Sequence, residues 1–258
     1  MKCFFIFLFI YSLNTFAFDQ FDAKVLHRIE EVVSVYENAT TVQAYDYIED
    51  IHDGRGYTAG KIGFTSATFD MAVVIRKYLE YRPEKISDWD DVLKLIDVRS
   101  QEHDGSVLGL EKLPSLWKKS AEDIFFKKAQ DEIAFEMYMK PAQDALKLCG
   151  YNSNKALLIF YDTIVQHGYG ESPEEEPDSF IAILSRVKKV PLESESAFLN
   201  EFLKLRKKVL MHSSDPSTRD AWRESVYRIK SLRKILYSSV DLNTTFSIRV
   251  WGKEFQIN

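Results

Sequence analysis

The sequence predicts a mainly α-helical α+β protein with a small β-sheet near its N-terminal end. Apolar residues recur at steps of three and four along most of the chain, which is the helical period. One stretch rich in glycine and hydroxyl groups, residues 52–70, interrupts this period. Residues 246–257 alternate between apolar and polar side chains, as a short hairpin does.

The first 17 residues have the composition of a secretory signal peptide. They contain one lysine, an apolar run and a small-residue cleavage motif that ends at Ala17. The apolar run is shorter than the roughly 20 residues that a membrane span needs. We therefore expect residues 1–17 to be removed on export and residues 18–258 to form a single secreted domain without a membrane anchor. Cys3 would leave with the leader, so Cys149 could form no internal disulfide.

Composition narrows the class of protein further. A hydrophobic content of 45% and an aromatic content of 14% exclude a disordered chain. The formal net charge of −5 disfavours a nucleic-acid partner, which needs clustered basic residues. The five histidines are scattered, and the sequence contains no CxxC or HExxH motif. We expect a monomer that uses no metal and no organic cofactor.

Helical segments are predicted in order along the chain. The first, residues 20–37, has an apolar stripe and ends at Glu37. A shorter helix is predicted over residues 42–51. After the glycine-rich stretch, helical periodicity returns over residues 71–79, 89–96, 116–148, 155–166, 194–211 and 219–237.

The segments between these helices are polar. Residues 99–115 are rich in turn-forming types and predict a loop between two lobes. The acidic run at residues 171–178 predicts a solvated loop, with Asp178 or Ser179 as the N-cap of the next helix. Within the glycine-rich stretch, the β-branched and aromatic residues at positions 57–65 predict a small hairpin.

Two carboxylates at the front of the chain have the environments that glycoside hydrolysis requires. This reaction needs one carboxyl as a proton donor and a second as a base or nucleophile, in different surroundings. Glu37 ends an apolar helix, whereas Asp53 lies in a polar loop beside Gly54. Thr58 could hold a water molecule against Asp53. Taken alone, either acid is more often a solvated surface carboxylate.

Several segments together resemble glycoside hydrolase family 46, the chitosanases. At the front these are YEN (residues 36–38), YDYIEDIHDGRGYTAGKIGFTS (residues 45–66) and Asp70. Four later blocks match in the same order, so the resemblance covers nearly all of the mature chain: FYDTIVQHG (160–168), FLNEFLKLRKK (198–208), DPSTR (215–219) and WGKEFQIN (251–258).

The resemblance implies endo-hydrolysis of β-1,4-linked glucosamine in chitosan, or in a similar amino-sugar polysaccharide, with inversion at the anomeric carbon. It also implies a two-lobed, lysozyme-like fold with a small sheet beside a central cleft. Glu37 matches the general acid, Asp53 the general base, and Thr58 the residue that positions the attacking water. Inversion places the two carboxyl groups about 6.5–9.5 Å apart.

The same resemblance assigns further residues. The positions that match substrate contacts are Tyr47, Arg55, Asp70 and His167, with Asp70 as the partner of a glucosamine ammonium. The positions that match a supporting ionic relay are Asp162, Arg206 and Arg219, and on this mapping Arg219 would reach Glu37.

The sequence departs from the family pattern at three positions. Ala67 and Phe69 stand where the family usually has glycine, and either would be strained at a positive φ. We favour a packing role for Phe69 over a sugar-stacking role. His52 could alter the pH response of the neighbouring base.

Two alternatives stay open. One is a muramidase that hydrolyses peptidoglycan, because the spacing of Glu37, Asp53 and Thr58 resembles that of phage lysozymes. The other is a catalytically impaired sugar-binding homologue, in which Ala67, Phe69 and His52 have disabled the loop.

Overall fold

The computed structural model describes residues 21–187, 194–216 and 219–258. The predicted signal peptide lies outside the described residues. Within the described ranges, every helix is too short or too polar to span a bilayer.

The described part of the chain is mainly helical, as the sequence predicts. It also contains a 3₁₀ turn (Pro83–Lys85) and a π-helical turn (Phe135–Met139). The α-helices are α1 (Ala23–Asn38), α2 (Phe69–Tyr81), α3 (Ile86–Glu102), α4 (Leu113–Ser120), α5 (Ile124–Ala134), α6 (Lys140–Leu148), α7 (Asn154–His167), α8 (Phe180–Val187), α9 (Glu195–Met211), α10 (Arg219–Glu224) and α11 (Tyr227–Tyr237).

Two small antiparallel sheets complete the described secondary structure. The glycine-rich stretch forms β2 (Tyr57–Ala59) and β3 (Phe64–Thr65). Together with β1 (Ile48–Asp50) they form a three-stranded sheet in the order β1-β2-β3, with β2 in the middle. The C-terminal hairpin consists of β4 (Phe246–Val250) and β5 (Lys253–Ile257). Both hairpin predictions are therefore confirmed, and the class is α+β.

The buried apolar residues form two clusters. The first cluster contains residues of α1, α7, α9, α11 and the C-terminal hairpin. The second contains residues of the three-stranded sheet, α2, α3 and α5. Tyr138, in the π-helical turn, packs against both clusters. The chain thus has two hydrophobic cores that meet along one continuous helical run.

Helix α1 is fixed at both ends by local chemistry. The Asp22 carboxylate accepts a hydrogen bond of 2.7 Å from the Lys24 amide, which caps the first turn. At the other end Ala39 adopts the left-handed conformation with φ of 54°, which ends the helix. Glu37 therefore lies in the last turn, just after the buried Tyr36.

The helix predicted over residues 42–51 is wrong. This segment is a connection with a turn at residues 45–46 that leads into β1, and Val42 is exposed. The backbone carbonyl of Tyr45 accepts hydrogen bonds of 3.0 Å from both Trp117 Nε1 and Gln130 Nε2. Both donors lie far away in the sequence, so local periodicity contains no sign of them.

Two longer helical predictions are divided in the structure. Residues 116–148 break before Asp123, whose carboxylate caps α5 by accepting a hydrogen bond of 2.9 Å from the Phe125 amide. The segment 219–237 is two helices, α10 and α11. The predicted loop at residues 99–115 is shorter at both ends, because α3 runs on to Glu102 and α4 begins at Leu113.

Candidate active site

Glu37 forms an ion pair with an arginine from the far end of the chain. Its Oε1 accepts a hydrogen bond from Nη2 of Arg228, the second residue of α11. The Arg228 side chain is buried, whereas about a third of the Glu37 side chain is exposed. Glu37 is therefore held on one oxygen while the other side of the carboxyl faces outward.

Arg228 also faces a second, completely buried carboxylate. Its Nη1 lies 3.6 Å from Oδ1 of Asp162, an ion-pair distance that is too long for a good hydrogen bond. Asp162 in turn accepts a hydrogen bond of 2.6 Å from Nη1 of Arg206, and neither of these two side chains is exposed. A buried ionic chain thus runs from Arg206 through Asp162 and Arg228 to Glu37.

The chain of charges corrects one assignment made from the sequence. Arg219 was expected to reach Glu37, but it lies exposed at the start of α10, where its Nε donates to the carbonyl of Ser213. Arg228 takes its place because it lies on the buried stripe of α11, in register with Leu232 and Ile235. The sequence does contain a signal for this role, because Arg228 is a charged residue within the apolar stripe of a helix.

Arg228 stays charged despite its burial. Burial disfavours the charged guanidinium, but the attraction of Glu37 and Asp162 outweighs it and raises the pKa of Arg228 above its ordinary value. The site therefore contains a permanent buried cation next to the candidate acid.

His167 belongs to the same buried chain. Its Nδ1 lies 2.9 Å from the carbonyl oxygen of Asp178, and its Nε2 accepts a hydrogen bond of 3.3 Å from Nε of Arg206. Burial, followed by the charge of Arg206, lowers the pKa of His167 well below its usual value. The ring is thus neutral and donates through Nδ1. A polar contact between His167 and a substrate would require one of these bonds to break.

Asp53 lies in the connection between β1 and β2. Its Oδ2 accepts hydrogen bonds from the Arg55 guanidinium, at 2.7 Å from Nε and 2.5 Å from Nη2. Its Oδ1 accepts a hydrogen bond of 3.0 Å from the Arg55 amide. Arg55, assigned from the sequence to the substrate, thus also fixes the orientation of the candidate base.

Gly105 packs against the β1–β2 connection that contains Asp53. A Cβ atom at Gly105 would overlap the carbonyl oxygen and carbon of Gly54, the residue after Asp53. The loop containing Gly105 is itself fixed, because Asp104 pairs with Arg99 and its Oδ1 accepts a hydrogen bond of 2.8 Å from the Ser106 amide. The backbone of Gly105 packs directly against the backbone of Gly54, so a rotation of a side chain could not relieve the overlap.

We expect Gly105→Ala to lower the turnover number by about tenfold to a hundredfold, because it displaces Gly54 and with it the Asp53 carboxylate. Overpacking of this kind costs about 1–3 kcal/mol of folding free energy, so the variant should still fold. Ser106→Ala is the matched control. Steady-state kinetics on both variants, with thermal unfolding, measure the effect, and a fully active Gly105→Ala would contradict the role of this loop.

Thr58 lies in the middle of the small sheet. It pairs with Glu49 of β1 and with Thr65 of β3. Its Oγ1 is buried and makes no hydrogen bond to any residue in the described ranges. A buried hydroxyl group costs free energy when unpaired, so the Thr58 hydroxyl has hydrogen-bonding capacity that the described residues do not use.

Asp70 and Tyr47, two further residues assigned to the substrate, differ in burial. Asp70 is only 7% exposed at the start of α2, and its Oδ1 accepts hydrogen bonds from the amides of Thr65 and Met71. Tyr47 is half-buried and donates a hydrogen bond of 3.2 Å to Oε2 of Glu49. Asp70 is the more rigidly held of the two.

A cavity of about 500 Å³ opens beside Asp53. Besides the loop of Asp53, it is lined by Ala67 and Thr68 and by two residues that the sequence did not assign, His103 and Asp215. A second, larger cavity of about 830 Å³ lies between α1, α2 and α5 and shares no lining residue with the first. Neither Glu37 nor Asp53 lines the larger cavity, so its size does not make it the active site.

The three departures from the family pattern have different consequences. Ala67 and Phe69 both have negative φ, so neither is strained as the sequence suggested. The packing role favoured for Phe69 is wrong, because its side chain is 53% exposed. His52 does adopt a positive φ of 57°, and its ring pairs with Asp50, at 3.1 Å, instead of Asp53.

Known proteins resemble this chain in both sequence and structure. The family model Glycosyl hydrolase family 46 matches residues 31–245. A chitosanase of Bacillus subtilis (strain 168) is 36% identical over 230 residues, which are 86% of this chain and 80% of that relative. A chitosanase of Nocardioides sp. (strain N106) is 33% identical over 238 residues, which are 88% of this chain and 80% of that relative.

Solved structures agree with these relatives. The native chitosanase from Bacillus subtilis MY002 superposes with a TM-score of 0.83 at 33% identity, covering 92% of this chain and 99% of that one. The complex of Gynuella sunshinyii GH46 chitosanase GsCsn46A with chitotetraose gives the same TM-score and coverage at 34% identity. The predicted lysozyme-like fold is therefore confirmed.

Proposed function

This chain belongs to glycosyl hydrolase family 46, and we propose that it is an endo-acting chitosanase that cleaves β-1,4-linked glucosamine with inversion. Family membership makes it a glycoside hydrolase. The Bacillus subtilis and Nocardioides relatives are chitosanases, and the Gynuella sunshinyii neighbour is in complex with chitotetraose. Chitosan-type oligosaccharides are therefore the substrate class.

One observation carries the assignment of the acid and base. Glu37 and Asp53 come from different elements, the end of α1 and the β1–β2 connection, and a different arginine holds each of them. Two separately fixed carboxylates are what an inverting hydrolase needs, since one protonates the leaving group while the other activates water. Each side chain is also partly exposed, so both can reach a substrate.

Glu37 acts as the general acid in this proposal. Arg228 contacts Oε1, which leaves Oε2 to carry the proton. That proton passes to the glycosidic oxygen as the bond between this oxygen and C1 breaks. Glu37 ends the step as a carboxylate and recovers a proton from solvent. Arg228 orients the acid, and Asp162 and Arg206 hold Arg228 in place.

Asp53 acts as the general base. Among the described residues, only the Arg55 amide donates a hydrogen bond to its Oδ1, so this oxygen keeps a lone pair that can accept a proton from water. The water oxygen bonds to C1 on the face opposite to the leaving group, which inverts the anomeric centre. The buried Thr58 hydroxyl supplies a further hydrogen bond to that water. Asp53 then releases its proton to solvent.

Substrate recognition involves the remaining assigned residues. We place the Asp70 carboxylate against a glucosamine ammonium, and Tyr47 and Arg55 against the sugar hydroxyl groups. For His167 we propose a supporting role beside Arg206, because both of its ring nitrogens are hydrogen-bonded within the protein. The ordinary backbone at Ala67 and Phe69 removes the main reason to expect an impaired homologue.

Export and assembly are part of the same proposal. Residues 1–17 serve as the signal peptide, and residues 18–258 form a single secreted catalytic domain of two lobes that acts as a monomer. The cleft between the lobes then takes an extracellular polymer.

The mature protein is expected to release reducing ends from highly deacetylated chitosan, with the α-anomer as the first product seen by ¹H NMR. Endo action should shorten the polymer long before monomer accumulates, which size-exclusion chromatography measures. Peptidoglycan is the comparison substrate. Hydrolysis of peptidoglycan alone would favour the muramidase alternative, and binding to chitosan without reducing-end release would favour the impaired homologue.

A further inference from the structure

The helical run that joins the two cores contains one irregular turn. Between α5 and α6 the backbone forms a π-helical turn over residues Phe135–Met139. Such a turn inserts an extra residue and changes the direction of the side chains that follow, and it occurs frequently at functional sites. The proposed mechanism uses none of its residues.

Tyr138 in this turn contacts the candidate ammonium-binding carboxylate. Its hydroxyl lies 3.3 Å from Oδ2 of Asp70, a residue 68 positions away in the sequence. The other oxygen, Oδ1, accepts from the Thr65 and Met71 amides and from the Thr68 hydroxyl, at 3.1, 2.9 and 2.5 Å. Tyr138 is therefore the donor that orients Oδ2 of Asp70, the carboxylate oxygen that can still accept a further hydrogen bond.

The hydroxyl of Tyr138 keeps its proton and donates a hydrogen bond to Asp70. Burial, followed by the charge of Asp70, raises the pKa of Tyr138 above its ordinary value. The phenol therefore stays protonated and donates to Asp70. In the described part of the chain its oxygen accepts no hydrogen bond, so its lone pairs can accept a hydrogen bond from a ligand bound at Asp70.

We propose that Tyr138 is a positioning and specificity-determining residue, which orients Oδ2 of Asp70 and completes with it a two-acceptor site for the free amine of glucosamine. The proposal rests on the assignment of Asp70 to that amine. An ammonium carries three donors and can use both oxygens, whereas an N-acetyl group carries one N–H and a methyl group. A site built around two acceptors therefore discriminates against the acetylated sugar, since the single N–H of that sugar would leave one of the two acceptors unpaired.

Tyr138→Phe removes the hydroxyl but keeps the ring that packs against both cores. We expect KM for glucosamine oligomers to rise about tenfold or more, which is the usual effect of losing a hydrogen bond to a charged group. The turnover number should change by less than about threefold, because the acid and base are untouched. The preference for fully deacetylated over partly acetylated chitosan should narrow by a similar factor.

Tyr81→Phe is the matched control. The Tyr81 hydroxyl also donates to a carboxylate, at 2.6 Å from Oε2 of Glu132, but this pair lies on the α2–α5 face away from Asp70. We expect Tyr81→Phe to leave KM and acetylation preference unchanged. Thermal unfolding of both variants shows whether folding is affected, and Tyr138→Met supplies a second variant without the hydroxyl.

A double-mutant cycle separates this inference from the proposed function. In an Asp70→Asn background, Tyr138→Phe should change KM by less than about twofold, because the two residues act as one unit. If the wild-type protein hydrolyses chitosan but both Tyr138 variants keep the wild-type KM and the wild-type preference for deacetylated chitosan, the inference is overturned and the proposed function stands. If the wild-type protein does not hydrolyse chitosan, the proposed function is overturned, and the inference that rests on it is overturned with it.

Discussion

Glu37→Gln is expected to lower reducing-end release from chitosan by about a hundredfold or more, because general acid catalysis contributes on this scale. Glutamine is almost the same size as glutamate, and its carbonyl oxygen can still accept the hydrogen bond from Arg228. The substitution therefore removes the transferable proton and little of the packing. Oligomer binding should stay close to that of wild type, so the loss should fall on the turnover number.

Asp53→Asn tests the other half of the acid and base pair. The loss of turnover should again reach about a hundredfold or more, because an amide cannot take a proton from water. Glu224→Gln is the control, since Glu224 is an exposed glutamate at the end of α10, as Glu37 is at the end of α1. A Glu37→Gln or Asp53→Asn enzyme with more than about a tenth of wild-type turnover would contradict the assigned role.

Local signals were sufficient for the elements that carry this chemistry. The apolar stripe of α1 ends where it was predicted to end, so Glu37 was placed in its last turn from the sequence alone. The β-branched and aromatic residues around Thr58 likewise predicted the hairpin of β2 and β3. In both cases the residues that determine the element lie within it.

Elements determined by distant residues could not be predicted in this way. The segment 42–51 has apolar residues at a helical spacing, yet it forms a turn and β1, and Trp117 and Gln130 bind the carbonyl of Tyr45 in that turn. The close approach of Gly105 to Gly54 and the contact of Tyr138 with Asp70 are equally non-local. Gly105 and Tyr138 lie outside the segments that resemble the family, so neither the local pattern nor the resemblance pointed to these two contacts.

The sequence predicted an ionic relay that leads to Glu37, but one of the three residues assigned to the relay was wrong. Two arginines, nine positions apart, lie on consecutive helices near the end of the chain. The resemblance assigned Arg219, which is exposed, whereas Arg228 lies in the buried stripe and reaches Glu37. Burial of the stripe was the deciding physical feature.

Replacing these two arginines in turn should therefore give very different enzymes. Arg228→Met leaves the buried carboxylate of Asp162 with one cation fewer and removes the partner of Glu37. Breaking a buried ion pair costs about 3–5 kcal/mol, which lowers the unfolding midpoint by roughly 6–20 °C in a protein of this size. Because Glu37 also loses its orientation, we expect the turnover number to fall by about tenfold or more.

Arg219→Met is the matched substitution at the surface. In the described part of the chain the exposed Arg219 side chain makes one hydrogen bond, to a backbone carbonyl, and no ion pair. Its loss should therefore change stability by less than about 0.5 kcal/mol and leave the turnover number near that of wild type. Differential scanning calorimetry and steady-state kinetics on the two variants decide between the arginines. Equal losses, or a larger loss for Arg219→Met, would show that the acid depends on α10 and that the buried chain through Arg228 is structural only.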